Sequence, residues 1–205
     1  MTPFVELLSV LMFSFGLNLI PFAGPSNLFI ASNFALVLAV GDPAPLVAIG
    51  FLVALGASLA KSVHYIITFF ISKHLKEKQR HRLDAEAMKV KHWASLLLFA
   101  AAATPIPDEP VVIPLGLLKY NPVKFFSAFF LGKLSITVVG AFLGSWTQST
   151  FSEWLSPEVM TALSIVLTIV VTVVLFKVDV GKLIDRFWKR KTGTQNRETD
   201  SNTGH

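Results

Sequence analysis

Asp108 and Glu109 stand side by side in Pro105-Ile106-Pro107-Asp108-Glu109-Pro110, an acidic break framed by prolines inside apolar sequence. An ionised carboxylate at membrane depth costs about 2.5–3.5 kcal/mol even on lenient insertion scales, so such acids need a partner, water or a proton. Lys61 and Lys133, each set inside a long apolar run, are the candidate partners. His64 and Tyr65 follow Lys61 by one turn, and the three could line one polar stripe of a helix. Buried cations suit a phosphate or carboxylate headgroup, or an internal pair with the acids. A carboxylate poised to take up a proton can couple ion movement to transport. Each group also has a plainer reading. A shallow acidic break would leave both carboxylates in headgroup water, with Asp108 or Glu109 merely capping the helix that Pro110 opens. The lysines could be structural ion pairs or snorkel towards an interface. His64 has no Cys, Asp or second His at ligand spacing, so no metal is expected there and a proton carrier is the role left to it.

These groups need elements to hold them, and the composition fixes the solvent in which those elements fold. The 205 residues are 53% hydrophobic and only 15% charged, where soluble domains carry about 25% charge. Mean hydropathy is +0.61. Long apolar runs without alternation favour membrane helices over barrel strands. Phe4 to Ile20 and Ser26 to Val40 flank a second break, Pro21-Phe22-Ala23-Gly24-Pro25, where the prolines stop any helix. Each arm is short for a span, and a re-entrant hairpin over 4–40 accounts for the short arms and the break together. Residues 46–72 read as a span, and 73–92 as a basic surface segment. The arms 93–104 and 111–118 are too short to cross roughly 30 Å at about 1.5 Å per residue, so 93–118 reads as a second re-entrant hairpin around Pro105 and Pro107. Spans at 123–146 and 159–176 follow, then a polar tail from Asp179 whose end, from Thr192, reads as disordered.

The net charge of +5 lies beside membrane segments, in blocks between Lys73 and Lys91 and between Lys177 and Arg197, which is an orientation signal and not a nucleic-acid footprint. With both blocks cytoplasmic, 46–72 runs inward and 123–146 outward, and the loop 147–158 carries Glu153 and Glu158 but no Lys or Arg. The expected fold is therefore an all-α integral membrane protein built from two inverted repeats. Each repeat is a re-entrant hairpin plus a transmembrane helix, and a further C-terminal transmembrane helix follows. The N-terminus has no basic residue before Lys61, so a cleavable signal is not expected. Gly140-Ala141-Phe142-Leu143-Gly144 would let another helix pack closely. There is no cysteine, and no Walker loop, G-x-S-x-G or H-E-x-x-H, so neither an ATP-driven pump nor an enzyme of those kinds is expected, and no cofactor.

Two proline-tipped hairpins, Gly56 to Tyr65, and Pro105-x-Pro107 followed by Pro114-Leu115-Gly116, Lys124-Phe125-Phe126 and Gly132-Lys133 resemble the DedA or VTT-domain membrane family over roughly Leu17 to Gly144. The resemblance implies movement of lipid carriers or phospholipids across a bilayer. It also implies acids near the first tip and arginines near the second. Here Pro21 to Pro25 has no acid, and Asp108 and Glu109 occupy the second tip. A divergent, archaeal branch would fit that exchange. The expected partners are an anionic lipid headgroup, a proton or sodium as coupling ion, and a second copy of the chain, in a multi-pass protein of a prokaryotic cell membrane. A proton-coupled exporter of small cations and a noncatalytic scaffold stay open as alternatives.

Overall fold

A computed structural model describes residues 3–21, 25–38, 42–74, 93–105, 108–151 and 153–156, with isolated positions between 159 and 170. The chain divides into units Met1–Ile169 and Val170–His205, and the first holds every element below. Expectations for 75–92, for most of the span 159–176 and for the tail fall outside the described residues, as do Gly24 and Pro107.

Among the described residues the fold is helical and contains no strand. Helix α1 covers Pro3–Asn18 and α2 Asn27–Leu38, on either side of the first proline break. Helix α3 runs over Pro43–Ile71 and tightens into a 3-10 turn at Ser72–His74. The short helices α4, Ala94–Ala102, and α5, Glu109–Leu117, flank the acidic break, and α6 occupies Pro122–Phe151. Helices α3 and α6 are long and apolar enough to cross a membrane.

The long helices start alike. The Asp42 carboxylate accepts from Ala44 N at 3.2 Å, ahead of Pro43 in the first turn. Asn121 Oδ1 accepts from Val123 N and Lys124 N, each at 3.0 Å, ahead of Pro122. A side-chain oxygen thus satisfies amides that have no helical partner, and proline takes a position whose missing N–H costs nothing. These caps set α3 three residues ahead of the expected Leu46. At the other end α6 outlasts the expected Trp146, because Thr147, Ser149 and Thr150 return their hydroxyls to the Leu143 and Trp146 carbonyls and so tolerate the helix.

Helices α3 and α6 are antiparallel. Thr137 Oγ1 donates to Gly50 O at 2.7 Å, while fifteen residues further along α3 the Tyr65 ring meets Phe125, with centroids 4.6 Å apart. Helix α1 runs parallel to α3, with Ser14 Oγ donating to Val53 O at 2.8 Å and His64 Nε2 meeting Leu19 O at 3.0 Å. Helix α2 lies against α6, where Gly140 and Gly144 meet the backbone of Leu28 and Ser32 so closely that a Cβ at either would collide with a carbonyl oxygen. The G-x-x-x-G therefore packs within the chain. In the other half, α4 packs on α6 and α5 on α3.

Two apolar clusters result. Val10, Ile30, Ala35, Ile49, Val53 and Ala141 build one, and Tyr65, Leu98, Val112, Leu115, Phe125 and Phe129 the other. Outward positions are apolar as well: Phe13, Ile67, Phe70, Leu131 and Val139 are all more than half exposed. Lys61, Lys133, Asp108, Glu109, Asn18, Asn27, Ser14, Ser58 and Thr137 are instead buried. Apolar faces outside and polar groups inside are the arrangement a lipid solvent requires, since buried polar groups must be paired and lipid-facing ones cannot be.

Candidate functional site: a buried four-charge cluster

Lys61 and Lys133 each fall between the two apolar clusters along their helices, and the acidic break comes to meet them. Lys61 Nζ lies 3.1 Å from Asp108 Oδ1 and also binds Glu109 Oε1. Lys133 Nζ lies 2.7 Å from Asp108 Oδ2. Asp108 thus bridges the two long helices, one oxygen to each lysine. All four residues are 3–4% exposed. Asp108 Oδ1 receives no hydrogen bond in spite of its 3.1 Å approach to Lys61, so that contact is Coulombic and off the hydrogen-bonding direction. Lys133 Nζ also lies 5.2 Å from the centroid of the Phe129 ring, whose face favours a cation.

The local sequence explains the convergence. Helix α5 begins at Glu109, with Pro110 in its first turn, and Asp108 takes the capping position without making a side-chain cap bond. The capping role that the sequence allowed is therefore corrected: the carboxylate turns to the lysines, because two ammonium groups attract it more strongly than one backbone amide. Nor do the two acids stand in water. The surroundings are small or hydroxylated, with Ser58 and Thr137 buried one turn from Lys61 and Lys133. The Ser58 hydroxyl bonds back to Ala54 O, and the Thr137 hydroxyl is shared between Gly50 O and Lys133 O.

The remaining candidates are placed apart. His64 points its ring at Leu19 O, just past the end of α1 and before the first break, and since a carbonyl only accepts, Nε2 carries the proton in that contact. Tyr65 donates its hydroxyl to Tyr120 O. The single stripe of Lys61, His64 and Tyr65 is thus corrected: three residues on one helix address the second break, the end of α1 and the α5–α6 turn. Pro21 and Pro105 are exposed turn residues.

One polar feature was not foreseen. Asn18 Nδ2 donates to Asn27 Oδ1 at 2.8 Å and Asn27 Nδ2 to Asn18 Oδ1 at 3.0 Å, a closed amide pair, 5–6% exposed, that ties α1 to α2 across the first break. Two asparagines bracketing a proline break inside apolar arms were the available signal. The first break is therefore held by a neutral pair, and the second by four charges.

A family model described as the VTT domain matches residues 28–146, from α2 to the last turns of α6, and so takes in all four charged residues. The first proline break, which the sequence likeness included, lies before the matched region. No curated protein and no solved structure matches the chain. With more than half its residues inside that match, and with apolar helices turned outward around buried charge, the chain belongs to the VTT-domain, or DedA, family of membrane proteins.

Proposed function

We propose that the protein is a flippase-like transporter that moves an anionic lipid, a polyprenyl phosphate or a phospholipid, across the bilayer at the Lys61–Asp108–Lys133–Glu109 cluster. The burial of these four charges is the observation that carries the reading. A purely structural core would be as stable with apolar side chains of similar volume, because the desolvation of buried ion pairs offsets their attraction.

Depth supports it. Lys61 lies ten residues before Ile71 and Lys133 eleven after Pro122, about 15 and 16 Å along antiparallel helices, or half of a hydrocarbon core of about 30 Å. Packing supports two hairpins that enter from opposite faces. In each half the first arm lies on its own long helix, α1 on α3 and α4 on α6, and the second arm crosses to the other, α2 to α6 and α5 to α3. That exchange is what an inverted repeat about an axis in the membrane plane would produce. His64 meets Leu19 O, just past the end of α1, one turn from where Lys61 meets the second break, so the end of the first arm and the second break come to the same level of α3.

In this scheme the carboxylates hold the lysines while the site is empty of lipid. A proton or sodium ion arriving at Asp108 or Glu109 weakens that hold, and the freed ammonium groups take the headgroup phosphate. Export of a small cation is less well supported, since both Asp108 oxygens already face lysines. The scaffold reading loses its G-x-x-x-G, which α2 occupies.

The test is reconstitution in liposomes with labelled polyprenyl phosphate or phospholipid, comparing wild type with Asp108→Asn/Glu109→Gln and with Lys61→Gln. Lipid movement abolished by both variants is expected. Movement in the wild type no faster than in empty vesicles refutes the proposal.

A further inference from the structure

Lys119 is the single non-glycine residue with positive φ among those described, at 51°. The chain turns there out of α5: Tyr120 N donates to Leu115 O at 3.0 Å and Lys119 N to Gly116 O at 3.1 Å. This pair of bonds closes a helix through a left-handed residue, a position that glycine fills without the clash a Cβ brings. A lysine in this conformation carries a backbone cost that glycine would not. Its side chain lies over Phe69, 5.7 Å from the ring centroid, and Phe69 touches Phe70 edge to face, over which Lys73 lies at 4.8 Å. Two exposed ammonium groups from different elements thus rest on adjoining rings.

We propose that Lys119 and Lys73 form a docking surface for the phosphate headgroup of an anionic phospholipid in the adjoining leaflet. Charge is segregated to fit it. The described groups at this end are Lys73, His74, Lys119 and Lys124, all exposed, whereas Asp42 and Glu153 lie at the opposite ends of α3 and α6. Depth fits as well. Lys73 is twelve residues beyond Lys61, about 18 Å, which is headgroup level if Lys61 sits at mid-membrane. Attraction to the helix C-terminus alone does not select Lys119, since a cation at a neighbouring position would serve without positive φ. The aromatic pair adds what a polybasic loop lacks, a rigid apolar floor beneath the charges. The inference rests on the membrane placement of the proposed function and not on transport.

The test uses the full chain, purified in a neutral detergent, with Tm followed during titration with short-chain phosphatidylglycerol, phosphatidylcholine or inorganic phosphate. Phosphatidylglycerol is expected to raise Tm by several degrees, and the other two to leave it unchanged. Lys119→Gly is expected to have a Tm no lower than wild type without lipid and to lose at least half of the phosphatidylglycerol shift. Lys119→Asn, which tolerates the left-handed backbone, should lose the same part, and Lys119→Arg should keep it. A full shift in Lys119→Gly, or inorganic phosphate acting as well as the lipid, overturns the proposal. Lipid movement absent from liposomes while the phosphatidylglycerol shift persists would refute the transport reading alone.

Discussion

Removing charge from Asp108 is expected to be far more damaging than removing it from its neighbour Glu109. Asp108 bridges Lys61 at 3.1 Å and Lys133 at 2.7 Å, so Asp108→Asn takes from Lys133 the carboxylate it faces and leaves Lys61 with Glu109, whereas Glu109→Gln leaves Asp108 bridging both. Breaking a buried pair by removing one member costs about 3–5 kcal/mol, because the surviving charge stays desolvated. At roughly 2–4 °C per kcal/mol for a chain of this size, Asp108→Asn should lower Tm by about 10 °C. Glu109→Gln should cost less than half of that. The compensating variant is Asp108→Asn/Lys133→Met, which removes one stranded cation and should recover at least about 1 kcal/mol relative to the sum of the single changes. Thermal unfolding of the four proteins in one detergent, followed by tryptophan fluorescence, measures all of this. Equal losses for Asp108→Asn and Glu109→Gln, with no recovery in the double variant, would refute the bridging geometry.

Other consequences are read separately. Asn27→Leu should destabilise by about 1–3 kcal/mol, because Asn18 Oδ1 is left buried without its donor while Asn18 Nδ2 keeps only Ser14 O, and Asn18→Leu/Asn27→Leu should cost less than the two single changes together, a cycle that thermal unfolding resolves. Gly144→Val should cost about 1–3 kcal/mol by driving α2 from α6, and a cysteine pair at Ser32 and Ser145 should then cross-link more slowly. Single cysteines at Glu153 and Lys73, both exposed, should react with an impermeant maleimide from opposite sides of a sealed vesicle. Labelling of both from one side contradicts the inverted-repeat topology.

Much of the helical plan was legible because proline and hydropathy act locally. The prolines at 21, 25 and 105 fall between helices and Pro110 falls in the first turn of α5, where a proline is tolerated, so the short arms lay close to where the structure has α1, α2, α4 and α5. Boundaries drifted where polar residues prolong helices: Asp42 and Pro43 open α3 early, and the hydroxyls after Trp146 extend α6. In the cluster, the identities of Lys61, Lys133, Asp108 and Glu109 could be read from the cost of burying charge, but not their pairing. Which lysine meets which oxygen depends on the register of α3 against α6 and on the turn of α5, and both are set by long-range packing. For the same reason helical spacing put His64 and Tyr65 with Lys61, although each reaches a different neighbour. The amide pair of Asn18 and Asn27 was missed because neither residue is charged, and a hydropathy profile gives a lone asparagine little weight.

The most direct test of a headgroup site in the buried cluster is the initial rate at which reconstituted protein moves a fluorescent polyprenyl phosphate across liposomes, set against the uncharged polyprenol of the same length. Fast movement of the phosphate, slow movement of the polyprenol, and loss of the difference in Lys61→Gln/Lys133→Gln are the predicted results. Equal rates for the two lipids, or a preference for the phosphate that survives loss of both lysines, would contradict it.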